Sequence, residues 1–360
     1  MSGVGPVDLR SDTVTRPCDD MRRAMASAEV GDDVFGEDPT VRRLQELAAE
    51  LTGTEAALFV PSGTMGNQVA LSLHAQPGAE LICAQDSHVV LYEMGAMAVL
   101  SGLIPRLVVA EGGLLEAGDL AASIPPEAPY RSRTRLLVVE NTFNMSGGRV
   151  YDRARLDSVL AVADDRGLRK HLDGARVFNA AAALGVPVAE LCRGFDSVNF
   201  CLSKGLGAPV GSLLCGDEGF IAEAWRIRKM LGGGMRQVGV IAAAGLVALE
   251  KGPAQLEADH ANARHLADGL AGIPGLHVDP ETVETNILVF RVDGSFGDGS
   301  LEEPGDAADL VARLGERGIL AIPVASDAVR LVTHRDVDRA DCDRALEVLR
   351  ELGALPQSAK

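Results

Sequence analysis

Asn199-Phe200-Cys201-Leu202-Ser203-Lys204-Gly205-Leu206-Gly207-Ala208-Pro209-Val210-Gly211-Ser212 is the stretch on which the reading of this chain turns. A run from Ser197 to Leu202 predicts a buried strand. It ends in a single lysine and passes into a segment thick with glycine, where the backbone can turn sharply and approach something large. A lysine at the exit of a buried strand is partly desolvated, which favours its neutral, nucleophilic amine. That is the state a Schiff-base lysine needs. The competing reading is a strand-end lysine that snorkels to solvent, and the rest of the chain has to choose.

That strand is one of a series. Ala56–Val60, Glu80–Cys83, Leu103–Val109, Arg135–Glu140 and Arg169–Leu172 are short apolar runs, alternating with helical patterns such as Leu156–Arg166. Such alternation predicts an α/β fold with a mostly parallel sheet covered on both faces. Ligands collect at the carboxyl ends of strands in such sheets, and His88, Asp173 and Lys204 all follow directly from expected strands. Asp38-Pro39 marks a helix start, with Gly53 its stop. Pro61 to Asn67 reads as a small-residue turn before a helix at Gln68–Leu73. There Gly63 and Thr64 would offer backbone N–H groups to an anion, although a plain βα turn has the same pattern.

At 360 residues the chain predicts one large and one small domain. Residues 1–16 form a polar arm whose hydroxyl and charged groups suggest that it lies on a ligand or a neighbouring subunit. Residues 17–250 form the large domain. A long helix from Ile241 bridges into residues 251–360, an α+β unit with strands Ile287–Val292, Ile319–Pro323 and Val329–Thr333. Helices are expected near Ala307–Gly315 and Asp341–Leu352, with Gly294–Gly305 a surface loop. A net charge of −17 argues against nucleic acid or an anionic membrane as partner. The six cysteines (Cys18, Cys83, Cys192, Cys201, Cys215 and Cys342) are scattered without metal-ligand spacing. They read as reduced residues of a cytoplasmic protein, and no metal site is expected. The N-terminus lacks a secretory pattern, and Val240–Leu249 is too short to span a bilayer.

If Gly63, Thr64, Asp173 and Lys204 face one cleft, the set suits pyridoxal phosphate. The lysine binds the aldehyde, N–H and hydroxyl groups take the phosphate, and a carboxylate keeps the pyridine nitrogen protonated. His88 is the candidate to stack on the ring. Arg176 reaches the ring oxygen or a substrate carboxylate in the bidentate manner of guanidinium. Each also has a structural reading: Asp173 as a turn residue, His88 as a satisfied core histidine, Arg176 as a surface ion-pair partner.

Over Asp8 to Leu352 the chain also resembles the low-specificity L-threonine aldolases, pyridoxal-phosphate enzymes with an aspartate-aminotransferase-like fold. The segments that carry the resemblance are Asp8-Leu9-Arg10-Ser11-Asp12-Thr13-Val14-Thr15, Gly31-Asp32-Asp33-Val34-Phe35-Gly36, Asp173 to Ala180, Cys201 to Ser212, Gly232 to Gln237 and Val329 to His334. The resemblance implies retro-aldol cleavage of a β-hydroxy-α-amino acid to glycine and an aldehyde. It implies Lys204 as the cofactor lysine, Asp173 as the pyridine partner and His88 as the stacking residue. Gly63, Thr64 and Ser203 would contact the phosphate, joined by Arg236 from a neighbouring subunit of a dimer within a tetramer. Ser11, Arg176 and Arg330 would clamp the substrate carboxylate. Phe143 departs from the family, which usually has histidine there, near the substrate hydroxyl; phenylalanine cannot accept a proton. With Phe35, it would favour bulkier, phenylserine-like substrates. The competing readings are another reaction of the same cofactor (elimination, decarboxylation or transaldol transfer) and a non-catalytic regulatory protein.

Overall fold

A computed structural model of the protein describes residues 5–294, 296 and 306–353. It divides into two compact units: Arg16–Met145 with Arg149–Pro253, and the remainder, which comprises the N-terminal segment to Thr15, Ser146–Gly148 and the chain from Ala254 onward. Most of the Gly294–Gly305 loop (Ser295 and 297–305) lies outside the described residues.

The larger unit is built on seven strands: β1 (Ala56–Val60), β2 (Glu80–Ala84), β3 (Ile104–Val108), β4 (Thr134–Glu140), β5 (Arg169–Asp173), β6 (Ser197–Cys201) and β7 (Ser212–Gly216). Their order is β1-β7-β6-β5-β4-β2-β3. All pair in parallel except β7, which runs antiparallel to both neighbours. The six expected strands lie within one residue of their expected bounds; β7 was not foreseen. The glycine-rich segment after β6 does more than approach a ligand. It folds back, with the Leu202 amide on the Gly211 carbonyl at 2.9 Å, and returns as β7. Gly211 is at φ +111°, and a Cβ there would lie 2.4 Å from the Phe59 ring. Only glycine fits.

Helix α1 (Pro39–Thr52) is capped as its sequence dictates: Asp38 accepts the Thr40 and Val41 amides, and Gly53 closes it in the left-handed region. Helix α2 (Gly63–His74) starts five residues before its expected position at Gln68. Ser62 caps it by accepting the Met65 amide, so the small residues read as a turn are its first turn. The expected long helix from Ile241 is two helices, Gly239–Lys251 and Pro253–Ala271, because Pro253 has no N–H to continue the ladder.

The smaller unit carries a four-stranded antiparallel sheet of β8 (Leu276–His277), β9 (Ile287–Val292), β10 (Ile322–Ala325) and β11 (Ala328–Val332), ordered β10-β11-β9-β8. Leu288, Phe290, Val329 and Leu331 pack with Leu266, Leu270, Leu346 and Leu349 of its helices. The expected strand Ile319–Pro323 splits in two, and Ile319–Leu320 pairs in parallel with Val7–Asp8 of the N-terminal arm. The arm is therefore held as a strand of this unit. Among the described residues no helix is long and apolar enough to cross a membrane.

Asp38 ties α1 to the helix at Gly239. Its second oxygen accepts the Gly239 amide at 2.8 Å and the Gly31 amide at 3.3 Å. Asp38→Ala removes a cap and leaves buried donors unpaired, at a cost of about 2–4 kcal/mol. Urea unfolding is expected to show this, and a loss below about 0.5 kcal/mol refutes that role.

Candidate active site

The carboxyl ends of β5 and β6, the start of α2 and the loop after β2 enclose a cavity of about 250 Å³. Lys204, Ser203, Asp173, His88, Gly63 and Thr64 all line it, together with Asn67 and Cys201. A roomier surface groove of about 460 Å³ lies at the amino ends of the strands, near His74 and Arg133. It holds none of the residues singled out in the sequence, so size does not locate the site.

Each wall has a local cause. With Ser62 accepting the Met65 amide, the amides of Gly63 and Thr64 are the orphans of a helix start and meet the cavity. A Cβ on Gly63 would lie 2.8 Å from Cys201 Sγ, and one on Gly66 would lie 2.1 Å from Asn199 Oδ1. Glycine at these positions lets the first turn of α2 seat against β6. Asp173, 2% exposed, closes β5, and its carboxylate accepts the Asn67 amide at 2.8 Å and the Ala175 backbone amide at 3.2 Å.

A second buried carboxylate, Glu93, organises the opposite wall. It accepts from Asn67 at 2.8 Å and Gln68 at 2.6 Å and is 2.9 Å from His88 Nδ1. Burial pulls the His88 imidazole toward its neutral form, but the Glu93 hydrogen bond and the Asp173 charge outweigh this, and the net shift is upward from 6.5. A third, Glu140 at the end of β4, accepts the backbone amides of His88 at 2.6 Å and Asn144 at 2.9 Å. Burial, reinforced by the Asp173 charge, pushes it up to about 7. His88, Glu93 and Asp173 offer ligand atoms within 4.8 Å of one another. The Asn67 amide donates into this cluster, which a hydrogen-bonded core requires and a cation would oppose.

The other expected residues are placed differently. Arg176, 6% exposed, precedes the helix Val177–Leu184 and reaches Asn144 Oδ1 at 3.4 Å. Arg236 is largely exposed and pairs with Asp32 at 3.2 Å; it does not line the cavity. Ser11 and Arg330 belong to the smaller unit. Ser11 accepts the Thr13 amide, and Arg330 donates to the Arg10 carbonyl at 3.3 Å. Phe143 is packed inside the fold. Its ring is 1% exposed and lies over Gly113, where a Cβ would come within 2.1 Å of it. It is absent from the cavity lining. Phe35, in contrast, is exposed.

The donor set fits pyridoxal phosphate. Orphan helix amides and Ser203 match a phosphate, the carboxylate of Asp173 matches a protonated pyridine nitrogen, and an amine stands beside both. The beta-eliminating lyase family matches residues 8–293. A low-specificity L-threonine aldolase of Escherichia coli is 46% identical over 336 residues, covering 92% of this chain and 95% of that protein. One of Arabidopsis thaliana is 45% identical over 349 residues, covering 96% of each. The chain belongs to the low-specificity L-threonine aldolase family. The fold of this family member also superposes on a Leishmania major threonine aldolase, with a TM-score of 0.79 at 21% identity over 97% of this chain and all of that one. A Sphingomonas wittichii serine palmitoyltransferase gives 0.76 at 18% identity, covering 97% and 87%.

Glu93 and Asn67 carried no signal of their own in the sequence. Glu93→Gln is expected to lower the titration midpoint of His88, read by histidine NMR. A raised histidine contributes stability that is fully present below about pH 6.5 and lost as pH rises through its folded-state value. The wild type should therefore lose stability as pH rises above 6.5, and the variant less; equal pH profiles with an unmoved His88 midpoint refute the coupling.

Proposed function

We propose that this protein is a pyridoxal-phosphate-dependent aldolase that cleaves L-threonine, L-allo-threonine or related β-hydroxy-α-amino acids to glycine and an aldehyde. The observation that carries the reading is the convergence of Lys204, Asp173, His88 and the α2 amides on one cavity, in a chain that matches threonine aldolases over nearly their full length.

Bound pyridoxal phosphate supplies an electron sink for the charge left at Cα when the Cα–Cβ bond breaks. The residues do the rest. Lys204 would hold the cofactor covalently through its amine. Asp173 keeps a proton on the pyridine nitrogen. The Gly63 and Thr64 amides and the Ser203 hydroxyl take the phosphate. Glu93 holds His88 Nδ1, which leaves Nε2 to accept the β-hydroxyl proton, directly or through a water. Arg176 would bind the substrate carboxylate in the bidentate manner of guanidinium.

Arg236 completes the phosphate site of a second copy, so the working unit is a homo-oligomer, a dimer of dimers in our reading. The six unpaired cysteines fit the reducing cytoplasm.

Lys204→Ala should abolish the visible absorbance of bound cofactor and reduce turnover by about 10³-fold or more. The products from threonine and phenylserine should be glycine and the matching aldehyde; ammonia in place of glycine would assign elimination instead. Arg236→Ala tests the shared site. Mixed with Lys204→Ala under subunit exchange, it should regain activity, because one site per hybrid dimer keeps both residues. No recovery means that Arg236 does not serve a partner.

A further inference from the structure

Between β5, β6 and α2 lies a polar seam in an otherwise apolar core. His171 and Asp173 alternate on β5, beside Ser197 and Asn199 in register on β6, and α2 presents Asn67 and His74 across from them. The Asn67 nitrogen is 2.8 Å from Glu93 Oε1 and 2.8 Å from Asp173 Oδ2. Its oxygen is 2.9 Å from Asn199 Nδ2 and 3.2 Å from His171 Nε2. His171 Nδ1 is 2.7 Å from Ser197 Oγ, which is also 2.6 Å from His74 Nε2. His74 stacks on Phe220 at 4.8 Å.

The donor inventory leaves this chain one direction. Carboxylates only accept, so both Asn67 N–H groups go to Glu93 and Asp173 and the amide cannot be flipped. Its oxygen then accepts, so His171 carries its hydrogen on Nε2. Burial, with a smaller contribution from His74, lowers His171 to about 3. The ring is therefore neutral and its Nδ1 bare. Ser197 must give its one hydrogen to Nδ1, and its oxygen then accepts from His74 Nε2–H. From His74 to Asp173 each link donates toward Asp173, while the second Asn67 N–H goes to Glu93, and bonds in such a chain polarise one another.

We propose that His74, Ser197, His171 and Asn67 form a one-way hydrogen-bond chain that stabilises and orients the Asp173 carboxylate, with His171 as its central positioning residue. The inference rests on the reading of Asp173 as the pyridine partner. None of these four residues touches the reacting atoms through this chain; they act through Asp173.

The test begins with ¹⁵N-histidine spectra of the cofactor-free protein. The chain requires His171 as the neutral Nε2–H tautomer at neutral pH; an Nδ1–H tautomer or a doubly protonated ring overturns it. His171→Phe should then weaken pyridoxal phosphate binding roughly five- to tenfold, the loss of about one hydrogen bond, and diminish the visible band of bound cofactor. His171→Gln, which restores an N–H donor to Asn67, should recover most of both. A folded His171→Phe protein with unchanged affinity and spectrum overturns the proposal. If that variant does not fold, the tautomer in the wild type decides. A wild type that binds no pyridoxal phosphate refutes the proposed function instead, and leaves the tautomer result standing.

Discussion

One side-chain amide, that of Asn67, stands between two buried carboxylates, and the arrangement of the larger unit's cavity follows from it. A buried carboxylate without donors is costly enough to disfavour the folded state. Asp173 and Glu93 share the two N–H groups of Asn67, and Glu140 takes the amides of His88 and Asn144. To deliver Asn67, α2 must sit within hydrogen-bond distance of β6, and that closeness requires Gly63 and Gly66. The same approach brings the α2 amides to the cavity. Solvation of the buried carboxylates and presentation of the α2 amides to the cavity are thus one geometric requirement.

The three acids also fix the surrounding loops. Glu140 pins the backbone on which His88 sits, while Glu93 pins its ring. Lys204 leaves β6 next to Asp173, whose Gly174 amide bonds to the Asn199 carbonyl at 2.8 Å. Groups held this way need little reorganisation to meet a charged ligand, which is the electrostatic preorganisation that catalysis draws on.

Much of this was legible in the sequence, because the signals were local. Alternating apolar strands and helices marked the sheet, and Lys204, Asp173 and His88 were exposed as candidates by following strands directly. Strand β7 was hidden because its glycine-rich approach reads as loop. The start of α2 was hidden because glycine is a poor helix former in isolation, and tertiary closeness overrides that. His171-Leu172-Asp173 and Ser197-Val198-Asn199 did carry a signal, polar residues at a period of two inside buried strands, which marks a polar seam on one sheet face. Glu93 offered none. Its partners lie 25 and 26 positions earlier and five earlier in the chain, and only the fold unites them.

The ring of Phe143 and the bare backbone of Gly113 fill each other's space. Gly113 is at φ +76°, so the glycine is required both by its own conformation and by the ring above it. The two positions therefore form a single unit of variation. A smaller residue at 143 opens a void over Gly113, and a side chain at 113 has no room until 143 shrinks. Any lineage or library that exchanges Phe143 for histidine inherits that void, and its success depends on what the chain from 110 to 115 does next.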